Sequence, residues 1–378
     1  MDRRDFIKQS LIAGVGGFLL TQLPFLNKLE AKNTINKIMQ NEEQLAKYWE
    51  NINDTTVRCL LCPNFCVIQD GQVGICKDRK NIDGKLYSLS YGRIVALNID
   101  PIEKKPLYHF LPMTTVLSFG TAGCNFSCKN CQNWDIAQVS PLSIKSYNYS
   151  PEQLVKAALS QNIPSIAFTY NEPTVFYEFM YETALLAKNN GLKTVLVSNG
   201  YINPQPLADL IPYLDAANID LKSFDDNIYL RLNGGKLQPV LNTLKTLKEN
   251  GVWLEITNLI VPTYTDDLNM IENMVKWSID NGFADVPLHF SRFFPAYKLS
   301  NLPPTPVETI MAAVKIARDN GMRYVYTGNV LDVNNDSTFC PQCNSILIKR
   351  QGYHTSIIGL NSEGNCTKCG YHISGVWS

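Results

Sequence analysis

Three cysteines carry the most specific chemical signal in this chain. Cys124, Cys128 and Cys131 stand in C-x3-C-x2-C spacing on a polar stretch that follows an apolar, strand-like run. Thiolates with this spacing on a loop can bind three irons of a 4Fe–4S cluster, which leaves the fourth iron open to a small molecule. The alternative is a set of buried free cysteines on one helix face, which Gly123 and Asn130 disfavour because both residues weaken a helix.

The other cysteines of the 11 form two groups of four, one on each side of the central three. The C-terminal group has two CxxC pairs and predicts a four-thiolate site of the zinc-ribbon type, with an auxiliary iron–sulfur cluster as the alternative: Cys340, Cys343, Cys366 and Cys369. For the N-terminal group, zinc, an auxiliary iron–sulfur cluster and two disulfides all stay open: Cys59, Cys62, Cys66 and Cys76.

Composition narrows the class of protein. The chain has 378 residues with 45% hydrophobic content, which excludes a mainly disordered protein. Lys+Arg and Asp+Glu are both 34, so the net charge is zero, and no nucleic-acid partner is expected. Disulfide scaffolds are usually short chains, so tight CxxC pairs in a chain of this length favour metal binding.

Short apolar runs alternate with helical stretches between residues 117 and 327. The strand candidates are 116–119, 165–168, 193–197, 216–219, 253–257, 288–290 and 324–326. The helix candidates are 151–161, 175–190, 239–250, 268–281 and 306–320, with Ser150 and Thr305 as N-caps. Repeated strand–helix units predict an α/β fold. We expect a partial (βα)6-type parallel barrel with small cysteine-rich metal-binding modules at both ends.

Longer motifs around these cysteines resemble the radical S-adenosylmethionine (radical SAM) superfamily. Within it the chain resembles the pyruvate formate-lyase-activating-enzyme-like branch, and most closely the AmmeMemoRadiSam system enzymes. The motifs are Cys62-Pro63-Asn64-Phe65-Cys66, Ile102-Glu103-Lys104-Lys105-Pro106-Leu107, Gln132-Asn133-Trp134 and Gly375-Val376-Trp377. This resemblance implies a 4Fe–4S cluster and S-adenosylmethionine (SAM) as cofactors. Reductive cleavage of SAM would then give methionine and a 5′-deoxyadenosyl radical that abstracts hydrogen from the substrate.

The resemblance also implies roles for residues that follow the predicted strands. Asn171 and Glu172 occupy the place of a Gly-Gly-Glu segment that contacts the methionine amine of SAM, although a helix cap before Pro173 is the alternative for Glu172. Ser198 and Asn199 end the next strand, where their polar side chains could hold the ribose and the carboxylate of SAM.

Three further positions complete the predicted cofactor site. Asp220 and Lys222 resemble the Asp-x-Lys of activating enzymes, with Lys222 pairing with the SAM carboxylate; an ordinary salt bridge is the alternative. His289 corresponds to a histidine that approaches SAM, or else is a core histidine. Asn130 stands where many members carry an aromatic residue, so its amide would bond adenine, unless Phe126 and Trp134 supply the aromatic surface.

The domain boundaries follow from these motifs. Residues 1–30 predict a twin-arginine-like signal or anchor because Arg3 and Arg4 precede a moderately apolar run; an amphipathic helix is the alternative. We expect a connector at 31–56, the N-terminal four-cysteine module at 57–100, the radical SAM partial barrel at 101–335 and the C-terminal zinc-ribbon-like module at 336–378.

The predicted function is that of a radical SAM enzyme, with a flavodoxin- or ferredoxin-like electron donor and a protein substrate as partners. Two alternatives are an iron–sulfur electron-transfer protein and a zinc-stabilised binding protein. The N-terminus suggests export or membrane association, whereas SAM chemistry favours the cytoplasm.

Overall fold

The computed structural model of the chain describes residues 44–330 and 333–378, all within one unit that begins at Gln44. The predicted twin-arginine-like segment and residues 31–43 of the predicted connector lie outside the described residues. No helix in the described part of the chain is long and apolar enough to cross a membrane.

Short antiparallel strands build the N-terminal module. They are β1 Gln44–Leu45, β2 Trp49–Asn53, β3 Thr56–Cys59, β4 Val67–Gln69, β5 Arg79–Ile82, β6 Lys85–Ser88 and β7 Arg93–Ile94. Strands β2, β3 and β4 form one sheet, and β1, β6 and β5 form another. Residues 44–53 thus differ from the predicted connector: Gln44 pairs with Ser88 and Trp49 pairs with Cys59, which joins them to the module.

An eight-stranded sheet forms the centre of the molecule. Its strands are β8 Ala96–Pro101, β9 Thr115–Gly120, β11 Ser165–Phe168, β12 Lys193–Ser198, β13 Ala216–Asp220, β14 Trp253–Ile260, β15 Leu288–Arg292 and β16 Val325–Gly328, while β10 Tyr147–Asn148 pairs with β7. Strands β9 and β11 to β16 are parallel and lie side by side in chain order, and β8 is antiparallel to β9 at one edge. The predicted α/β fold with a mostly parallel sheet is therefore confirmed.

Helices provide the connections between the parallel strands. They are α1 Trp134–Ala137, α2 Pro151–Ser160, α3 Tyr177–Asn189, α4 Pro204–Leu210, α5 Asp226–Ile228, α6 Leu237–Glu249, α7 Leu268–Asp280 and α8 Val307–Asp319, while α9 Val333–Asp336 follows the last parallel strand, β16. The predicted cap at Ser150 is confirmed, because its side chain accepts a hydrogen bond from the Gln153 amide. The predicted cap at Thr305 is wrong: its hydroxyl donates to the Ile260 carbonyl instead.

The two faces of the sheet are covered by different parts of the chain. Successive residues of a strand point to opposite faces, so alternate side chains belong to different apolar clusters. Those on the helix-covered face include Ile166, Phe168, Leu196, Ala217, Ile219, Leu254 and Ile256. Those on the other face, Ala167, Val195 and Ala216, pack against Ile102, Leu107, Phe110 and Leu111. Residues 102–111 therefore fill the face that the helices leave open.

The C-terminal module is a three-stranded antiparallel sheet. It consists of β17 Thr338–Phe339, β18 Ile346–Gln351 and β19 His354–Ile357. The end of the chain returns to the segment that fills the sheet: the Leu111 amide donates to the Val376 carbonyl at 2.7 Å, and the Val376 amide donates to the His109 carbonyl at 2.7 Å. The module is thus attached to the face opposite the helices.

Candidate functional site

The loop that carries the three central cysteines begins where β9 ends, at one edge of the parallel strands. Helix α5 continues into a π-helical stretch, Tyr229–Asn233, whose last carbonyls have no partner within a helix. The amides of Ser127 and Lys129 donate to the carbonyls of Asn233 and Leu232, at 2.8 and 2.9 Å. This helix end therefore fixes the middle of the cysteine loop.

Two glycines after the π-helical stretch allow close contact with the loop. A Cβ atom at Gly235 would lie 2.2 Å from the ring of Phe126, and one at Gly234 would lie 2.5 Å from the Ser127 hydroxyl oxygen. Gly234 also has a φ of 80°, which favours glycine. The loop can approach this closely only because neither position carries a side chain.

The sulfur atoms of the loop receive hydrogen bonds and are partly shielded from water. The Phe126 amide donates to Cys124 Sγ at 3.4 Å, and Asn233 Nδ2 donates to Cys128 Sγ at 3.3 Å. Burial raises the pKa of Cys131 to about 12 and holds the pKa of Cys124 well above its usual value. Thiolates at these positions thus depend on a positively charged partner, and the donors suit sulfurs bound to iron. The three cysteines fit a 4Fe–4S cluster.

Asn171 and Glu172 follow β11 and are already bonded to protein groups. Asn171 Oδ1 accepts from the Thr121 amide at 3.0 Å, and Asn171 Nδ2 donates to the Gly123 carbonyl at 2.9 Å. The buried Glu172 carboxylate accepts hydrogen bonds from the Thr174 amide and hydroxyl, at 3.0 and 2.7 Å. Asn171 therefore supports the cysteine loop, and Glu172 caps the turn that follows, as the helix-cap alternative predicts.

Ser198 and Asn199, at the end of β12, lie beside Glu172 and the cysteine loop. The Ser198 hydroxyl donates to Glu172 Oε1 at 2.7 Å, and the Asn199 amide donates to Glu172 Oε2 at 2.8 Å. Asn199 Nδ2 donates to Asn125 Oδ1 at 2.8 Å. The structure thus brings four predicted cofactor residues together around the start of the loop. Their contacts with SAM stay predictions.

Asp220 and Lys222, after β13, form a partly exposed ion pair. Lys222 Nζ lies 2.9 Å from Asp220 Oδ2. Burial alone would lower the pKa of Lys222, but the charge of Asp220 and the proximity of Cys128 raise it. Lys222 therefore remains cationic near Cys128 and Cys131. The salt-bridge alternative describes the observed contact, and the predicted contact of Lys222 with the SAM carboxylate stays a prediction.

Asn130 lies within the loop, between two cluster cysteines. Its side chain is 8% exposed, and its Oδ1 has no hydrogen-bond partner in the described part of the chain. A buried acceptor without a partner is costly, so a ligand that donates a hydrogen bond there would be stabilised. This fits the predicted contact with the adenine amine. Trp134 is 43% exposed and stacks on Tyr297, with 5.3 Å between ring centroids.

His289 belongs to a buried polar network on the sheet face filled by residues 102–111. Its Nε2 is 2.6 Å from Glu255 Oε2, and its ring contacts Tyr108 edge-on. Burial would raise the pKa of Glu255, but His289 holds it below its usual value. Glu255 also accepts the backbone amide of His109 at 2.7 Å. These contacts support the core-histidine alternative over the predicted contact with SAM.

The C-terminal four cysteines converge on one point. Cys340 and Cys369 have sulfurs 3.6 Å apart, and Cys343 and Cys366 have sulfurs 3.7 Å apart. Four thiolates at about 2.3 Å from one tetrahedral ion would be about 3.8 Å from each other. Hydrogen bonds with Ser345 lower the pKa of Cys343 to about 6, which favours the thiolate. This group fits a single zinc ion.

The N-terminal four cysteines have a different arrangement. All four line one cavity. Every cysteine of the chain is a free thiol, so the disulfide alternative has no support in the structure. Of the residues that the structure describes, only the C-terminal four cysteines bring three or more ligand atoms within 4.8 Å of one another. The N-terminal sulfurs are therefore more widely spaced.

The sequence patterns miss Asn233, Gly234 and Gly235, which support the cysteine loop. They lie about a hundred residues from it in the chain, and no local pattern connects them with Cys128. The available signal is the Asn-Gly-Gly sequence itself, because adjacent glycines indicate close backbone approach.

The chain is similar to a known protein family and to solved structures. The radical SAM superfamily profile matches residues 119–278. Among solved structures, Streptococcus suis SuiB bound to S-adenosylmethionine is similar to 60% of this chain and 53% of its own, with 14% identity and a TM-score of 0.46.

Two relatives are similar in sequence. An uncharacterized protein of Methanocaldococcus jannaschii is 45% identical over 329 residues, which are 87% of this chain and 98% of that protein. The pyruvate formate-lyase-activating enzyme of Clostridium pasteurianum is 26% identical over 190 residues, which are 47% of this chain and 76% of that enzyme. From the profile and these identities, the chain belongs to the radical SAM superfamily. It is a radical SAM enzyme related to pyruvate formate-lyase-activating enzymes.

Proposed function

We propose that this enzyme cleaves SAM reductively and uses the product to remove a hydrogen atom from a protein substrate. The observation that carries the proposal is the loop of Cys124, Cys128 and Cys131, which offers three thiolates to a cluster of four irons. With cluster and SAM bound, one electron would split the sulfonium into methionine and a 5′-deoxyadenosyl radical that takes hydrogen from the substrate.

The chain's own residues would bind and orient the cofactors. Lys222, held cationic beside the thiols, would pair with the SAM carboxylate. Asn130 would accept a hydrogen bond from the adenine amine through its unpartnered Oδ1. Asp220 would hold Lys222 in place through their ion pair.

The strand-end group of Asn171, Glu172, Ser198 and Asn199 would form the wall beside the methionine part of SAM. Glu172 would face the expected ammonium: burial raises its pKa, and the hydrogen bonds that it accepts from Ser198 and Asn199 favour and fix its carboxylate form. Asn171 would act on the loop, because its amide spans Thr121 and Gly123. We do not assign a SAM contact to His289, since Glu255 and Tyr108 enclose it.

The winding of the sheet is consistent with a partial barrel. Six helical crossovers join seven parallel strands in chain order, so all of them run in one direction around the sheet. We infer that the sheet curves around residues 102–111 as a (βα)6-type barrel, with the cysteine loop at the carboxyl ends of its strands.

A protein substrate is proposed from the relatives, since pyruvate formate-lyase-activating enzymes act on an enzyme, as their name states. From the resemblance of its motifs, we propose that within that branch the chain is related to the AmmeMemoRadiSam system enzymes. The electron donor would belong to the flavodoxin or ferredoxin class.

The test of SAM cleavage uses the full chain, reconstituted without oxygen with iron and sulfide and then given SAM and dithionite. We expect 5′-deoxyadenosine from the wild type, none above background from Cys128→Ala, and wild-type amounts from Lys276→Ala. Lys276 is an exposed helix residue that pairs with Glu272, so it is a control for handling. A fully loaded wild type that makes no 5′-deoxyadenosine would contradict the proposal.

The class of substrate is tested by transfer of deuterium. An extract of cells grown in heavy water is separated by size, and each fraction is added to the reaction. A protein substrate is supported if deuterium appears in 5′-deoxyadenosine only with the macromolecular fraction and if treatment of that fraction with protease abolishes the transfer. Label transferred only from the small-molecule fraction would contradict it.

A further inference from the structure

The N-terminal group of Cys59, Cys62, Cys66 and Cys76 surrounds a cavity instead of converging on a point. No three of these sulfurs come within 4.8 Å of one another, since among the described residues only the C-terminal group does so. Four ligands of one zinc ion must meet at about 2.3 Å from it. In a 4Fe–4S cluster each thiolate binds a different iron, so the sulfurs stand around a body of eight atoms.

A cationic side chain lies at the same cavity. Arg79 lines it and is 1% exposed. Both of its terminal nitrogens donate to the Glu178 carboxylate, at 2.9 and 2.8 Å, whereas its Nε lies 3.6 Å from Asp78 Oδ2 and makes no hydrogen bond among the described residues. A buried donor without a partner is rare, and hydrogen bonds to cluster sulfurs stabilise the anionic, reduced form of a cluster.

The cavity adjoins the central cysteine loop. The Cys124 amide donates to the Cys76 carbonyl at 3.2 Å, and Asn64 Nδ2 donates to the Asn125 carbonyl at 2.9 Å. A Cβ atom at Gly123 would lie only 2.5 Å from the Cys76 carbonyl oxygen, so this close approach requires glycine. Cys76 of the N-terminal group is therefore connected to Cys124 of the central group through covalent bonds and a single hydrogen bond.

We propose that the four N-terminal cysteines bind a second 4Fe–4S cluster, which relays electrons to the central cluster. A low-potential donor of the flavodoxin or ferredoxin class would give one electron to the second cluster. That cluster would pass the electron to the central cluster and return to its oxidised state. No bond forms or breaks and no proton moves in this relay. The relay rests on the proposed function, whereas the presence of the cluster does not.

Metal content tests the presence of the cluster. The full chain is reconstituted without oxygen in excess iron, sulfide and zinc, desalted and measured for metals. Two clusters and one zinc site predict about eight iron atoms and one zinc per chain. A variant with Cys124, Cys128 and Cys131 all changed to Ala should keep about four irons and a reduced-cluster electron paramagnetic resonance signal. About two zinc atoms and no iron in that variant would overturn the proposal.

The relay is tested by comparing two reductants. For each protein, the rate of 5′-deoxyadenosine formation with reduced flavodoxin is divided by the rate with dithionite. We expect this ratio to fall by more than an order of magnitude in the double variant Cys62→Ala and Cys66→Ala, which leaves only two ligands for the second cluster without changing the central loop. Retention of zinc and of the central-cluster signal shows that the variant is folded. An unchanged ratio would overturn the relay. The presence of the second cluster would still be tested by the metal content.

The distance between the clusters gives a readout without activity. If both clusters are present and adjacent, their signals in the fully reduced wild type should show spin–spin broadening. The variant without the central cysteines should show a narrower signal. Two independent, unbroadened signals in the wild type would contradict the proposed proximity.

Discussion

The N-terminal and C-terminal modules offer the same four ligands to a metal, yet they hold them differently. In the C-terminal module, two sulfur pairs lie 3.6 and 3.7 Å apart, and Cys369 is exposed. In the N-terminal module, four sulfurs line a cavity against the central loop, with Arg79 beside them. Ligand spacing and position, more than ligand type, therefore distinguish a structural ion from a redox cluster.

The two modules also differ in what holds them to the rest of the molecule. The N-terminal module is joined to α3 by the buried pair of Arg79 and Glu178, and to the cysteine loop by backbone hydrogen bonds. The C-terminal module pairs with residues 102–111 on the opposite side from the helices. A change in one module should therefore leave the other folded.

The largest effect is expected from Cys366→Ala. It removes a buried ligand of the C-terminal site, and structural zinc sites supply about 10 kcal/mol or more of folding free energy. We expect loss of about one zinc per chain and rapid proteolysis after residue 336, with the iron content kept. Metal analysis and limited proteolysis measure both. Ser356→Ala, on the exposed side of the same sheet, is the control. Full zinc content in Cys366→Ala would mean that the site is not of this type.

A smaller effect is expected from Glu178→Ala in the other module. Removing Glu178 from this buried ion pair leaves the Arg79 charge with only the longer contact to Asp78 Oδ2, at 3.6 Å, and should cost up to about 3–5 kcal/mol in the free energy of unfolding. The unfolding midpoint in urea should fall accordingly. The matched control is Arg58→Ala, which breaks an exposed pair with Glu50 and should cost less than about 1 kcal/mol. Equal shifts in the two variants would contradict the buried anchor.

Gly235→Ala acts on the central loop between the modules. Its new methyl group would meet the buried Phe126 ring, with an expected cost of about 1–3 kcal/mol from overpacking. We expect less iron in the central cluster and slower formation of 5′-deoxyadenosine. Gly251→Ala meets no atom within 4 Å and should lose stability from its left-handed backbone alone. The contact is not essential if both variants keep wild-type iron and activity.

The smallest effect is expected from Asn130→Ala, which removes a single proposed hydrogen bond to adenine. Loss of about 0.5–1.5 kcal/mol corresponds to a rise of about two- to tenfold in the Kd of SAM. Equilibrium binding to the reconstituted protein measures it. Asn269→Ala, an exposed change at the start of α7, should leave the Kd as it is. A wild-type Kd for Asn130→Ala would remove this contact from the proposal.

The sequence predicts the parallel strands well, because each is a short apolar run between helical patterns. The strand at Ser165–Phe168 has the predicted bounds, but β12, β13 and β15 extend to polar ends at Ser198, Asp220 and Arg292. A strand predicted from an apolar run ends at the last apolar residue of that run. Polar residues at the end of the actual strand are therefore left out of the prediction. The sequence patterns also do not predict the helix Pro204–Leu210, because two prolines in its first turn are typical of a turn or loop.

The site shows the same limit. Spacing alone identifies Cys124, Cys128 and Cys131 as one group. It gives no sign that Glu255 encloses His289, because the two residues meet only across neighbouring strands. Spacing in the sequence also does not distinguish the two outer groups of cysteines, because four thiols can bind either a zinc ion or a 4Fe–4S cluster. Three-dimensional spacing is needed to separate them.

With only three cysteines as ligands, the central cluster should leave one iron free to bind SAM. The most direct measurement is electron paramagnetic resonance of the dithionite-reduced full chain before and after SAM is added. We predict that SAM shifts the g values of one cluster signal, and that the variant lacking Cys124, Cys128 and Cys131 gives a signal that SAM does not change. A wild-type spectrum unaffected by saturating SAM would show that no iron of the central cluster binds SAM.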